Sequence, residues 1–353
     1  MNLYLSAPIG FTGYGYASLN ILTHLMKNNH NVGLSLIGSP NLDSQNQVEY
    51  VKKAIDQCHQ INYESPCLKI WHQFDLISRP GNGKYYAFPF FEVDKLNEKE
   101  IYHLNFPDEL IVSSEWAKNI LIDNKISKPI NVVPMGVDTK IFDFNISNQT
   151  NNYVFITIGK WEKRKAHDVI IECFNAAFTE KDNVELWMVT HNSFLNKQEE
   201  QFWLNLVEKS KLRQKIRIFP RLPSHESIAE LLSYSNCGIY ISRGEGWNLE
   251  LLETMAMNKP VIASNYSAHT EYCDSENSFL VEMNDLEPAI DNKFFFGTSN
   301  WGKIDQQQID QTIEYMKHCY KNNIIENKPG LTTAQKLSWQ NTSNLLEGCI
   351  KKN

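Results

Sequence analysis

The segment Cys237–Met257 constrains the fold more than any other stretch. Cys237–Ile241 is a short apolar run, the pattern of a buried strand. It passes through Gly244 and Gly246 into a helical run, Leu249–Met257. Glycines at a strand-to-helix turn let backbone approach a ligand with no Cβ in the way. Asn248 is placed to cap the helix, whose first N–H groups and partial positive charge suit a phosphate. Glu245 precedes the helix and Glu253 lies just over one turn inside it, so the two carboxylates can flank one cleft. A carboxylate can accept two sugar hydroxyls at once, which makes Glu253 a candidate for a ribose diol and Glu245 for a sugar ring. A buried turn with a solvated glutamate at its rim is the plainer alternative.

The same alternation runs through the chain. Leu3–Ala7 is a strand pattern, followed by a turn with glycines at 10, 13 and 15 and a helix with Leu19, Leu22, Leu25 and Met26 on one face. This is the opening of a βαβ unit. The glycine spacing is not that of the dinucleotide fingerprint, and the second strand, Val32–Ile37, ends without an acid for a ribose, which disfavours NAD chemistry. Gly13 and Gly15 serve either close approach to a bound phosphate or sugar, or a tight turn. Further strands are expected at 68–71, 85–91, 109–112 and 131–134, with helices at 48–58 and 114–123. His72 and Glu92 fall at strand carboxyl ends, where open parallel sheets bind ligands. The polar run Asp143–Asn152 is the expected linker between domains 1–145 and 150–330. The second set comprises strands near 153–158, 185–189, 216–219, 237–241, 260–263 and 278–282. Its helices are expected near 167–179, 198–210, 225–234, 249–257 and 307–322, and a closing helix follows over 338–351.

Composition narrows the function. A chain of 353 residues is long enough for two domains, and 42% hydrophobic residues suffice for two cores. A net charge of −7 argues against nucleic acid and against a polybasic membrane anchor. Seven cysteines without a Cys-x-x-Cys pair argue for a reducing compartment, and so for a cytoplasmic location. No apolar run approaches the ~20 residues of a membrane span, and Met1–Leu5 reads as a first strand rather than a signal peptide. The turn Gly159–Ala166 carries four basic residues and one acid. Two lysines and a helix N-terminus there would neutralise a diphosphate without metal, and no Asp-x-Asp is present to hold Mg²⁺.

These motifs together resemble the retaining glycosyltransferases of family 4, also described as glycosyl transferases group 1, with the GT-B fold. The segment Gly244–Glu253 looks like that family's Glu-x7-Glu motif, and Asn258–Glu271 like the strand and loop after it. Gly159, Lys160 and Lys165 resemble its Gly-Arg…Lys-Gly phosphate clamp. Val133–Asp138 resembles its Pro-x-Gly-Val-Asp segment. Gly13–Gly15 with Asn29–Val32 resembles its N-terminal glycine loop and the end of its first helix.

The resemblance implies an α/β fold of two Rossmann-like, doubly wound domains facing a cleft. The first would bind the acceptor and the second the nucleotide-sugar. Residues 331–353 would form a helix crossing back to the first domain. Lys160 and Lys165 would hold the donor diphosphate with the amides around Gly246, Trp247, Asn248 and Leu249. Glu253 would bind the ribose, Glu245 would contact the donor sugar near its reacting carbon, and Arg221 and Leu222 would pack the base. Gly13 and Gly15 would approach the donor, and Glu92 or His72 would stand near the family's N-domain histidine. The implied activity is metal-independent, retaining transfer of a hexose, with no cofactor, from a UDP- or GDP-sugar to a saccharide, lipid-linked or protein-linked acceptor, with room for peripheral membrane contact. Three departures stand out: Lys160 for arginine, Ala166 for glycine, and Ser267–Ala268 for a glycine pair. The rival readings are a nucleotide-sugar-binding subunit of a transferase complex and a sugar-nucleotide epimerase-like enzyme.

Overall fold

The computed structural model describes every residue except Thr12, Asp43, Ser44, Ser147, Gln149, Lys352 and Asn353. Thr12 of the glycine turn and two residues of the expected linker therefore lie outside the described residues. The chain divides into two compact units, Met1–Gly136 with Leu337–Asn353, and Val137–Lys336. The expected linker 143–152 falls inside the second unit.

The first unit holds six parallel strands: β1 (Asn2–Ala7), β2 (Asn31–Leu36), β3 (Cys67–Lys69), β4 (Tyr85–Ala87), β5 (Glu109–Val112) and β6 (Ile130–Val132). Their order across the sheet is β2-β1-β3-β4-β5-β6. Helices α1 (Gly13–Lys27), α2 (Gln45–Cys58), α3 (Glu98–Leu104) and α4 (Glu115–Asp123) connect them. The apolar face of α1 is buried as its spacing predicts, with Leu19, Leu22 and Leu25 in the core. Ser114 caps α4 by accepting from the Ala117 amide at 3.1 Å. The aromatic run 85–91 is a strand only to Ala87. The Phe88 amide still donates to the Lys69 carbonyl at 2.7 Å, but Pro89 has no N–H to continue the ladder.

The second unit also has a six-stranded parallel sheet: β7 (Tyr153–Ile158), β8 (Val184–Val189), β9 (Ile216–Phe219), β10 (Cys237–Tyr240), β11 (Val261–Asn265) and β12 (Phe279–Glu282). The order is β12-β11-β10-β7-β8-β9. Helices α5 (His167–Ala177), α6 (Lys197–Glu208), α7 (His225–Tyr234), α8 (Leu249–Ala256), α9 (Gln306–Lys321) and α10 (Lys328–Lys336) flank it. The strand order reverses between β7 and β10. Loops leaving the carboxyl ends of those two strands therefore diverge to opposite faces and leave a crevice, where open α/β sheets bind ligands. An antiparallel hairpin, β13 (Leu286–Ile290) and β14 (Phe296–Gly302), was not anticipated. Pro288 and three consecutive phenylalanines mask any alternation there. The Asp291 carboxylate makes its turn, accepting from the amides of Lys293, Phe294 and Phe295.

Helix α11 (Trp339–Lys351) belongs to the first unit. Its Thr342 hydroxyl donates to the Pro134 carbonyl at 2.8 Å, and the buried Trp339 ring meets Tyr16 edge-on at 6.1 Å. Gly136 permits this contact. A Cβ there would stand 2.2 Å from the Trp339 nitrogen and 2.3 Å from the Ser338 carbonyl carbon. Both are backbone atoms that cannot swing aside, so Gly136→Ala should destabilise by about 1–3 kcal/mol. Thermal melting checks this, and an unchanged midpoint would contradict the packing.

Candidate active site

The turn after β7 and the loop after β10 meet at the reversal point of the second sheet. Gly159, in a conformation (φ +149°) open mainly to glycine, lies against the Lys165 side chain, and a Cβ would come within 3.2 Å of its Cε. That space admits Lys165 into the site. Lys163–Lys165 form a 3-10 turn closed by Ala166 in the left-handed region, φ 57°. The family-like glycine position thus keeps glycine's conformation although alanine occupies it.

Four buried charges interlock here. Arg164 Nη1 donates to Glu245 Oε2 and to the Gly244 carbonyl, both at 2.7 Å, and its Nη2 donates to Glu162 Oε2 at 2.9 Å. Lys165 Nζ lies 2.8 Å from Glu245 Oε1. All four residues are under 10% exposed. Lys160, with a side chain 39% exposed, pairs with Glu162 at 3.0 Å and sits over the Phe194 ring. Within the ion-paired set three cations face two carboxylates, with the Glu250 carboxylate in the first turn of α8 also acting on Lys165.

Burial works against the charge on Glu245, yet Arg164 and Lys165 overcome it and hold its carboxyl well below the usual range. Glu162 is lowered in the same way, with Arg164 and Lys160 outweighing burial. Burial likewise opposes the Lys165 charge, and Glu245 and Glu250 keep that ammonium above its ordinary value. Glu162, Glu245 and Lys165 are therefore ionised at neutral pH.

The loop is fixed from its far side as well. The Glu245 amide donates to the Ser267 hydroxyl at 2.8 Å, and Ser267 itself is left-handed, φ 55°. Asn248, also left-handed at φ 78°, caps α8 by accepting from the Leu251 amide at 3.3 Å. Its amide nitrogen is 2.9 Å from His269 Nε2, and His269 Nδ1 faces the Ser264 hydroxyl and carbonyl at 3.1 Å. Burial pushes His269 down to about 4. Below pH 6.5 the unfolded chain would bind this proton while the folded chain refuses it. Its contribution to stability is therefore present above pH 6.5 and is lost as pH falls toward 4. In His269→Gln, urea titrations between pH 6.5 and 5 should show a slope smaller by up to about 1.4 kcal/mol per pH unit; an unchanged slope would count against a neutral buried imidazole.

Glu253, 2% exposed in α8, has a different environment. Burial, reinforced by the charge of Glu250, raises its carboxyl well above the ordinary value. Among the described residues nothing donates a hydrogen bond to it. Trp247 is buried against Tyr272, whose hydroxyl donates to the Trp247 and Asn248 carbonyls at 2.9 and 3.0 Å. The Trp247 indole N–H is buried and finds no acceptor among the described residues.

The structure thus brings together Lys160, Lys165, Glu245, Gly246, Trp247, Asn248, Leu249 and Glu253 on two neighbouring loops and one helix. Arg221 and Leu222 follow β9, exposed and half-buried respectively. Gly13, Gly15 and Glu92 lie in the first unit. Gly13 (φ +33°) has open space where a Cβ would point, whereas a Cβ on Gly15 would strike the Gly10 nitrogen at 2.6 Å. Gly15 is therefore accounted for by packing inside its own loop. Glu92 lies close to Tyr14, where its charge adds to burial in raising the phenol. Tyr14 meets His72 edge-on at 4.8 Å, and its hydroxyl donates to the Phe90 carbonyl at 2.8 Å. Sequence reasoning passed over Arg164, Glu162 and His269, and no helical or strand period singles them out. Among the described residues no group of three or more His, Cys, Asp or Glu side chains is placed to hold a metal ion, and no helix is long and apolar enough to cross a membrane.

Residues 152–293 match the family model described as Glycosyl transferases group 1. That stretch, in the second unit, is similar to group 1 glycosyltransferases. The chain is 29% identical over 203 residues to the MMP alpha-(1->4)-mannosyltransferase of Mycolicibacterium hassiacum, across 57% of this chain and 46% of that protein. It is 23% identical over 175 residues to an uncharacterized glycosyltransferase of Methanocaldococcus jannaschii, across 46% of this chain and 41% of that protein. The alignments thus span less than half the length of these relatives. Among solved structures, Anabaena Alr3699/HepE in complex with UDP and glucose matches with TM-score 0.73 at 13% identity, covering all of both chains. Sucrose-phosphate synthase from Thermosynechococcus elongatus matches with TM-score 0.73 at 14% identity, covering 100% of this chain and 98% of that one. The two Rossmann-like sheets are those of the GT-B fold.

Proposed function

We propose that the chain is a group 1 glycosyltransferase that moves a hexose from a nucleotide-sugar to an acceptor hydroxyl, with retention at the anomeric carbon and without a metal ion. The observation that carries this reading is the ionised cluster of Arg164, Lys165 and Glu245 beside the N-terminus of α8, with the Glu253 carboxyl, which has no hydrogen-bond donor among the described residues, one turn further in. The three clustered cations and the first amides of α8 suit a diphosphate. Glu253 has its lone pairs available for two ribose hydroxyls, which would relieve a carboxyl now held without donors.

As the bond to the sugar breaks, negative charge develops on the leaving diphosphate. Lys165, Arg164 and Lys160 are held in place by Glu162 and Glu245, so a diphosphate bound beside them would need little reorganisation of these cations. Glu245, held anionic between two cations, is suited to accept a sugar hydroxyl and poorly suited to attack carbon. Retention would then proceed without a covalent sugar–protein intermediate. The structurally similar Anabaena protein was solved with UDP and with UDP-glucose, which makes UDP the first nucleotide to test. The first unit would take the acceptor, a saccharide, lipid-linked or protein-linked glycan, in a cytoplasmic step of polysaccharide synthesis.

The test is thermal stability of the pure protein against UDP, GDP, ADP, dTDP and CMP, repeated with Glu253→Ala. One nucleoside diphosphate at 100 times its Kd should add about 2.7 kcal/mol to the wild type and little to the variant. No response from a well-folded wild type would overturn the donor site.

A further inference from the structure

We propose that Arg243 and Glu287 form a strut through which the β13–β14 hairpin sets the position of the charged cluster. The proposal rests on the donor-site reading only for its consequence; the strut itself stands on geometry. Arg243, 6% exposed, precedes Gly244 and Glu245. Its Nε donates to Glu287 Oε1 on β13 at 2.8 Å, and its Nη1 donates to the Lys163 carbonyl at 2.7 Å. Its amide donates to the Arg164 carbonyl and its carbonyl accepts from the Gly302 amide at the end of β14, both at 2.7 Å. Glu287 Oε1 also accepts from the indole N–H of the fully buried Trp301 at 3.1 Å. Glu287 and Trp301 face each other across the hairpin ladder.

One residue therefore ties the hairpin to both segments that carry the cluster. Besides the ion pairs of Arg164 and Lys165 with Glu245, turn and loop are joined by three bonds to backbone carbonyls: Arg243 N to Arg164 O, Arg243 Nη1 to Lys163 O, and Arg164 Nη1 to Gly244 O. A guanidinium can reach two acceptors in different directions with a fixed fork. A lysine ammonium at the same place keeps the charge but cannot hold the Lys163 carbonyl and Glu287 in one geometry. Arg243 and Glu287 touch no reacting group in this reading. They act as positioning residues, holding the spacing between the two carriers of Lys165 and Glu245, where an error of about 1 Å can cost a hundredfold in rate.

Hydrogen–deuterium exchange on the full chain tests the strut without any ligand. Arg243→Lys should speed exchange about tenfold in residues 159–166 and 243–249, the scale of losing a hydrogen bond to a charged group, while β8 and α6 stay unchanged. Glu287→Gln should show a smaller increase in the same segments, and it carries the test alone should Arg243→Lys fail to fold. Faster exchange confined to 286–302, or no change in either variant, would overturn the proposal. A second readout separates positioning from general loosening. With the nucleoside diphosphate that stabilises the wild type, Arg243→Lys should weaken the diphosphate about tenfold and leave the matching monophosphate within threefold. Equal weakening of both overturns the positioning role. If no nucleotide binds the wild type, the donor reading fails while the exchange result still decides the strut.

Discussion

Replacing Arg164 by methionine is expected to lower stability by about 3–5 kcal/mol, the range found when one partner of a buried ion pair is removed. The guanidinium satisfies two carboxylates and one carbonyl while its side chain is only 7% exposed. Methionine fills the volume and leaves Gly244 O and one oxygen each of Glu162 and Glu245 without a donor. The cost should depend on pH in a defined direction. Both carboxyls are held below their unfolded values, so their contribution is present above about pH 4.5 and is lost as pH falls. Urea unfolding at pH 7 should show the full loss, and the gap between wild type and variant should narrow toward pH 4. A loss under about 1 kcal/mol at pH 7 would mean that Lys160 and Lys165 neutralise the two acids unaided.

Removal of the Lys165 ammonium should act mainly on turnover. Its Nζ is buried, drawn in past Gly159 and aimed by Glu245. If it meets charge developing on a leaving diphosphate, Lys165→Ala should cost about 10²–10³ in rate, or roughly 3–4 kcal/mol of barrier. Lys160→Ala should cost much less, because its side chain is 39% exposed, its partner is Glu162, and water screens it. Steady-state rates of both variants, with the nucleotide-sugar identified by the stability screen, decide the matter. Turnover within twofold for Lys165→Ala would remove that lysine from the reaction, and equal losses in the two would remove the distinction drawn here.

The contrast between the two lysines was hidden in the sequence, whereas the frame around them was legible. Short apolar runs bounded by glycine, proline and polar residues marked the parallel strands because both faces of such strands are buried. Leu249–Met257 read as a helix with Asn248 as its cap, and the structure has that cap, although Asn248 sits in the left-handed region rather than extended. Charge partners were not legible. Lys160, Glu162, Arg164 and Lys165 all fall within six residues, and only a 3-10 turn decides which point inward. Ser267 was marked as a departure from a glycine pair; its hydroxyl turns out to accept from the Glu245 amide. The hairpin stayed invisible because residue type does not follow burial along it: Leu286, Ile290 and Phe296 are exposed while the charged Glu287 is half-buried. Gly13 and Gly15 looked alike in the sequence and differ in space, one open and one pressed against Gly10.

The division of the chain has a consequence for its synthesis. The first unit is assembled from two distant pieces, Met1–Gly136 and Leu337–Asn353, while the second is one continuous stretch between them. On a ribosome, the later-made second unit can complete its sheet while the earlier-made first unit still waits for α11. Until then the Tyr16 side that Trp339 meets, the Pro134 carbonyl that Thr342 satisfies, and His30, which Glu347 approaches to 2.8 Å, have no cover from α11. Vectorial synthesis thus favours the reverse of sequence order in maturation, with the nascent chain's longest-lived aggregation hazard in its first 136 residues.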